Sequence, residues 1–239
     1  MTTRLDGIDL VVFDKDGTLI EFHAMWSGWA VRLADELEVA TGIPLRDDLY
    51  EMLGYDEDSG RARSGGRLSA TPMARLQDLT LDLLVEHGLG RADAATAMAT
   101  AWRAPDPVSL ARPVTDLPAL LGSLRTDGRR IGVATTDDRG PTLRTLIALD
   151  VDTLVDALVC ADDGVRPKPA PDMVLDLCRR TGVPPRRTAV LGDSIADLAM
   201  CRAAGAARCY GVLSGVGGSE DLGPLADEVL GSIAALMAG

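Results

Sequence analysis

The chain has 239 residues, 46% of them hydrophobic but only 3% aromatic, and a formal net charge of −12. That length fits one large domain, or a core carrying a smaller insertion, with packing left mainly to Leu, Val, Ala and Ile. The acidic balance excludes a general binder of nucleic acid or of anionic membranes, which calls for a basic surface, but not a small anionic substrate that sees only local charge.

Residues 1–6 lack the apolar region of a secretory signal, and no apolar run approaches the ~18 residues of a membrane span, so a cytoplasmic protein is expected. The first element is the apolar run 8–13, which reads as a buried strand. It delivers Asp14-Lys15-Asp16-Gly17-Thr18, two carboxylates one residue apart entering a glycine turn. Alternation places Asp14 and Asp16 on one side of an extended backbone. Charges so close need a cation, a shared proton or separate tasks.

Residues 25–41 then show helical apolar spacing through Trp26, Trp29, Ala30, Leu33 and Leu37, and 72–86 and 92–103 also read as helices. Between them, 54–69 carries Gly, Ser, Asp and the arginines Arg61, Arg63 and Arg67, and is expected to be a flexible loop. From about residue 113 strand and helix signals alternate. A helix ends near Asp127-Gly128, a strand covers 130–135 and a short helix 142–149. A strand follows at 154–160, a helix at 171–181 stopped by Gly182, a strand at 188–192 and a helix at 195–204 stopped by Gly205. Residues 208–213 and 228–230 supply further edge strands. This alternation predicts an α/β fold, a Rossmann-like parallel sheet covered on both faces. Its core is expected to comprise 1–19 and 106–239, with 20–105 inserted as an all-helical unit.

Three later motifs share the first one's position at the carboxyl end of a strand, where open α/β sheets bind ligands. Thr135-Thr136 could donate to a phosphoryl oxygen. Lys168, in Arg166-Pro167-Lys168-Pro169-Ala170-Pro171, is a positive charge on a loop stiffened by proline. In Gly192-Asp193-Ser194-Ile195-Ala196-Asp197 the two acids lie about one helical turn apart, and a helix cap accounts for only one of them. Each motif alone also fits an ordinary turn or cap. Together they offer hard oxygen ligands suited to Mg²⁺, one lysine and hydroxyl donors.

As a set, these motifs resemble those of the haloacid dehalogenase-like hydrolase superfamily, in its phosphatase branch, over nearly the whole chain. Phosphoglycolate phosphatase and similar small-phosphate phosphatases are the nearest resemblance. It implies a Mg²⁺-dependent phosphatase of a small soluble phosphate monoester, with phosphoglycolate a candidate, acting through an aspartyl-phosphate. By resemblance, Asp14 is the nucleophile and Asp16 the general acid and then base. Thr135, with Gly17 and Thr136, holds the phosphoryl oxygens, and Lys168 neutralises charge. The metal falls to Asp14, Asp16, Asp193 and Asp197, and residues 20–105 to a mobile cap. Asp16 favours ester cleavage over dehalogenation, because a leaving alkoxide needs a proton. Two departures, Thr136 in place of Asn and Lys15 in place of an apolar residue, leave the subfamily open.

His23 and Trp26 are candidates to face the cleft from the start of the insertion, although cap packing with Trp29 also accounts for Trp26. The arginines of 54–69 are candidates for a substrate carboxylate. The glycine-rich 211–219 lacks the lysine of a phosphate-binding loop and is not read as a nucleotide site. Cys160, Cys178, Cys201 and Cys209 form no C-x-x-C pair and the chain has two histidines, which disfavours zinc, and all four are expected reduced in or near the core. A phosphotransferase or sugar-phosphate mutase on the same scaffold, and a non-catalytic binding module, are the alternatives. Oligomeric state cannot be read from the sequence.

Overall fold

The structure, a computed structural model, describes residues 4–237; positions 1–3 and 238–239 of the expected core lie outside them. In chain order the elements begin with β1 (Leu10–Phe13), α1 (Phe22–Thr41) and α2 (Arg46–Leu53). The strands β2 (Tyr55–Asp56) and β3 (Arg61–Ala62) come next, followed by α3 (Arg67–Ala70), α4 (Met73–Glu86) and α5 (Arg91–Ala101). The remainder alternates: α6 (Leu117–Thr126), β4 (Arg130–Ala134), α7 (Arg139–Ala148), β5 (Ala157–Val159), α8 (Asp172–Thr181) and β6 (Thr188–Gly192). It ends with α9 (Ile195–Ala203), β7 (Arg208–Val212), α10 (Ser219–Leu222) and β8 (Glu228–Leu230).

Six strands form a parallel sheet in the order β5-β4-β1-β6-β7-β8. This is the expected α/β architecture. Strand alternation divides β1 between the faces: Val11 and Phe13 join the cluster under α6 and α7, and Leu10 and Val12 the one under α8 and α9. Buried on both sides, the central strands are continuously apolar. β7 lies inside the sheet rather than at its edge, which corrects the expectation for 208–213.

Residues 22–101 assemble around their own hydrophobic cluster, built on Trp26, Trp29, Leu33, Leu37, Leu76 and Leu84. They are not all-helical. Tyr55–Asp56 and Arg61–Ala62 pair as an antiparallel ribbon within the stretch expected to be a flexible loop, Tyr50 and Tyr55 pack edge to face at 4.8 Å, and α3 follows. Strands of two residues are too short to show alternation, so the sequence carried no signal for them. The linkers entering and leaving this unit run side by side: Glu21 donates to Arg112 O at 2.8 Å and Val114 to Leu19 O at 3.1 Å.

Cys201 and Cys209 are joined by a disulfide, tying α9 to β7. This corrects the expectation of four reduced cysteines; Cys160 and Cys178 are free and buried. Among the described residues no helix is long and apolar enough to cross a membrane.

Candidate active site

β1 occupies the middle of the sheet, so Asp14 emerges between the ends of β4 and β6, its N–H donating to Leu191 O at 3.0 Å. The chain then coils tightly, with Leu19 and Ile20 donating to Lys15 O at 2.9 and 3.1 Å. Gly17 makes this possible. Its φ is +91°, and a Cβ there would stand 2.3 Å from Asp193 Oδ2.

Asp193 follows β6 and is buried. One of its oxygens accepts the Val216 N–H at 2.8 Å, while its carbonyl accepts from Gly217 at 2.9 Å. A Cβ on Gly215 would lie 1.9 Å from Asp193 Oδ2. The glycines of 211–219 therefore let a loop close around this carboxylate, a role their sequence pattern did not disclose.

Ser194 caps α9. Asp197 Oδ2 accepts the Ser194 hydroxyl and N–H at 2.5 and 3.1 Å, and Ser194 Oγ accepts the Asp197 N–H at 3.3 Å. Capping thus uses one Asp197 oxygen and leaves Oδ1 for Lys168. The Lys168 ammonium bridges Asp14 Oδ1 and Asp197 Oδ1, 2.5 Å from each. Burial opposes its charge, but the two carboxylates outweigh burial and raise its pKa above the ordinary lysine value.

Burial pushes the Asp14 carboxyl up to about 7; Lys168 opposes this, and the charges of Asp197 and Asp16 add to it. Asp193 is raised well above the usual carboxylate range by burial and by the charges of Asp14 and Asp197, with the Val216 N–H and Lys168 opposing. Oxygens of Asp14, Asp193 and Asp197 all lie within 4.8 Å of one another. Three buried carboxylates against one lysine form an all-oxygen site in which a divalent cation would offset the excess negative charge. The donor set and the close-fitted loop around Asp193 both suit Mg²⁺.

Asp16 is held from two sides. Lys15 Nζ lies 2.7 Å from Asp16 Oδ2 and 3.3 Å from Asp137 Oδ2, with no exposed side-chain surface. Trp26 Nε1 donates to Asp16 Oδ1 at 3.1 Å while its ring packs edge-on against Trp29, so both readings of this tryptophan apply. Burial opposes the Lys15 charge, but Asp16 and Asp137 outweigh it and raise the pKa. Burial raises that of Asp137, against the pull of Lys15. Neither Asp137 nor the bridging part played by Lys15 followed from sequence reasoning; the one signal was a lysine between the two aspartates, in place of an apolar residue.

The cleft between sheet edge and inserted unit is lined by Asp14, Asp16, Thr136, Lys168, Asp193 and Asp197. On the opposite wall stand Phe22, Trp26, Ser69, Ala70, Thr71 and Met73. Thr135 lies just beneath this lining, buried, its N–H donating to Val159 O at 3.0 Å and its Oγ1 accepting the Asp137 N–H at 3.1 Å. Its hydroxyl proton is left to donate elsewhere.

His23, expected at the cleft, stands outside its lining. The ring meets Phe22 edge-on at 5.4 Å, and burial followed by the nearby Arg61 charge lowers its pKa. The three arginines are likewise absent from the lining, although Arg61 extends to the loop closed around Asp193. Arg61 reaches toward Gly215 O at 3.5 Å, Arg63 pairs with Glu51 at 2.7 Å, and Arg67 donates to Met52 O at 3.3 Å.

A family model described as haloacid dehalogenase-like hydrolase matches residues 8–205. A phosphoglycolate phosphatase of Rhodospirillum rubrum is 31% identical over 203 residues, covering 82% of this chain and 76% of that protein. An N-acetylmuramic acid 6-phosphate phosphatase of Pseudomonas aeruginosa is 28% identical over 201 residues, covering 82% and 77%. Among solved structures, a HAD family hydrolase of Deinococcus radiodurans R1 with bound phosphate and sodium superposes with a TM-score of 0.63 at 22% identity, covering 97% and 94% of the two chains.

Proposed function

The chain belongs to the haloacid dehalogenase-like hydrolases, and from that premise we propose that this phosphatase hydrolyses a small soluble phosphate monoester, with Mg²⁺, through an aspartyl-phosphate on Asp14. The observation that carries the reading is the Lys168 ammonium seated 2.5 Å from both Asp14 and Asp197, beside the buried Asp193. Asp14, Asp193, Asp197 and the neighbourhood of Asp16 would hold the cation, which supplies positive charge that lets a carboxylate approach an anionic phosphoryl group.

In the first step an Asp14 oxygen bonds to phosphorus as the bond to the leaving oxygen breaks, and Asp16 gives its proton to that oxygen. In the second, Asp16 takes a proton from water, the water oxygen bonds to phosphorus, and the bond to Asp14 breaks. Lys168 offsets charge on Asp14 and the phosphoryl oxygens throughout. Thr135 and Thr136 supply hydroxyl donors, and Gly17 brings the backbone close. We assign residues 20–105 as the cap over the cleft, carried on the paired linkers. The reading keeps the chain in the cytoplasm, where the Cys201–Cys209 bond would be open to reduction.

Phosphate release from a panel of small esters that includes 2-phosphoglycolate and 4-nitrophenyl phosphate tests the proposal. Release should need Mg²⁺, stop with EDTA, and fall at least ~10³-fold in Asp14→Asn, whose amide is a poor nucleophile. Release that survives Asp14→Asn would remove the assigned nucleophile. Release that appears only when a sugar acceptor is supplied would replace hydrolysis with phosphoryl transfer.

A further inference from the structure

The wall that faces the leaving group carries information about the substrate that the phosphoryl-handling residues do not. Phe22, Trp26, Ala70 and Met73 present apolar surface, and Ser69 and Thr71 add hydroxyls. Among the described residues Lys168 is the only cation lining the cleft, and it is already bound between Asp14 and Asp197. Lys15 has no exposed side-chain surface and is occupied by both Asp16 and Asp137. The arginines of 61–67 are turned onto Gly215 O, Glu51 and Met52 O. His23 stands outside, beside Arg61, where a positive charge is disfavoured.

The charge already in the cleft has one sign. Asp16 and Asp137 also line it, and their ion-pair partner is Lys15 rather than Lys168. A carboxylate on the leaving group would enter beside these acids and meet a wall of apolar surface and neutral hydroxyls, without a cationic partner. A charge desolvated in that way binds poorly. An alcohol bearing hydroxyl groups meets no such obstacle. Its hydroxyls can exchange hydrogen bonds with Ser69, Thr71 and Thr136, and its carbon skeleton can rest on Phe22 and Trp26.

We propose that the leaving alcohol is uncharged and hydroxyl-bearing, of the polyol or sugar class, and that this cleft selects against acidic leaving groups such as glycolate. The inference rests on the phosphatase reading above. It parts from the name of the Rhodospirillum rubrum relative, which belongs to that protein.

The test compares skeletons that differ only in a carboxylate against a hydroxymethyl group: 2-phosphoglycolate with 2-hydroxyethyl phosphate, and 3-phosphoglycerate with glycerol 3-phosphate. 4-Nitrophenyl phosphate is the control for hydrolysis itself. In both pairs kcat/KM is expected to be at least ~10-fold higher for the neutral member. Equal values, or a preference for the acid, overturn the inference while leaving the phosphatase reading intact. No turnover of any ester, the nitrophenyl control included, removes the reading and the inference with it. A variant supplies the missing charge: Thr71→Lys should raise the acid-to-neutral ratio of kcat/KM several-fold in each pair. A ratio unmoved by that lysine would show that absence of a cation is not what excludes the acid, and the argument would fail.

Discussion

Lys15 has no exposed side-chain surface and its ammonium is held between two carboxylates from different loops, Asp16 at 2.7 Å and Asp137 at 3.3 Å. Removing one partner of a buried ion pair costs about 3–5 kcal/mol, because the other charge stays behind unpaired. Lys15→Met keeps most of the volume and removes the charge, so Asp16 and Asp137 would repel and Asp16 would lose one of the two contacts that aim it. We expect a fall in kcat of ~10–10²-fold on an alkyl phosphate and a smaller one on 4-nitrophenyl phosphate, whose leaving group needs no proton. Lys15→Arg, which keeps the charge, should recover part of the loss. Equal losses on both esters would mean that Lys15 supports the fold but not the aim of Asp16. At this scale, what lies within one motif was legible: Asp14, Asp16, Lys168, Asp193 and Asp197 stood out by type and spacing. What depended on a distant partner was not. Lys15 reads as an anomaly until Asp137 is placed beside it, and Gly215 as loop filler until Asp193 is.

The strands at both edges of the sheet are secured by the same device. Asp156, just before β5, accepts the Ile131 N–H at 2.8 Å and pairs with Arg125 and Arg130 at 2.9 and 2.8 Å. Asp227, just before β8, accepts the Cys209 N–H at 2.7 Å and pairs with Arg202 at 2.9 Å. Burial works against both charges, but the backbone N–H and the guanidinium groups prevail and hold both carboxyls below their ordinary value. The folded pKa therefore lies under the unfolded value of about 4. The stabilisation is fully present above that value and is lost as pH falls through the depressed one. Asp156→Asn and Asp227→Asn should each lower Tm by about 2–4 °C at pH 7, and the gap to wild type should narrow by pH 3. A gap of the same size at both values would show that the carboxylate charge contributes nothing. These strands were legible as apolar runs with turn signals. Helix α2 and the β2–β3 ribbon were not, since one is two turns long and the other has no period to detect.

The whole molecule is a sheet with a separately packed insertion, and this division was legible because helical apolar spacing from residue 25 gives way to strand–helix alternation after residue 113. The wall that the insertion gives the cleft was not, since it depends on which insertion residues turn inward. The place of β1 has another consequence, which concerns the order of assembly during synthesis. The strand bearing Asp14 is made before both its neighbours, yet Leu10 is paired with Arg130 on one side and Thr188 on the other. At ~5–20 residues per second the ribosome takes roughly ten seconds or more to supply the second partner. Through that interval an apolar strand waits with an open edge, while the insertion already has its own cluster. We expect chains ending before Thr188 to be cut by protease within 8–14 but shielded across 22–101, and chains extending past Gly192 to resist at both. If the shorter chains resist throughout, β1 finds its place without β6. The central position of Asp14, which gives it neighbours on both sides, would also make it one of the last parts of the protein to be secured.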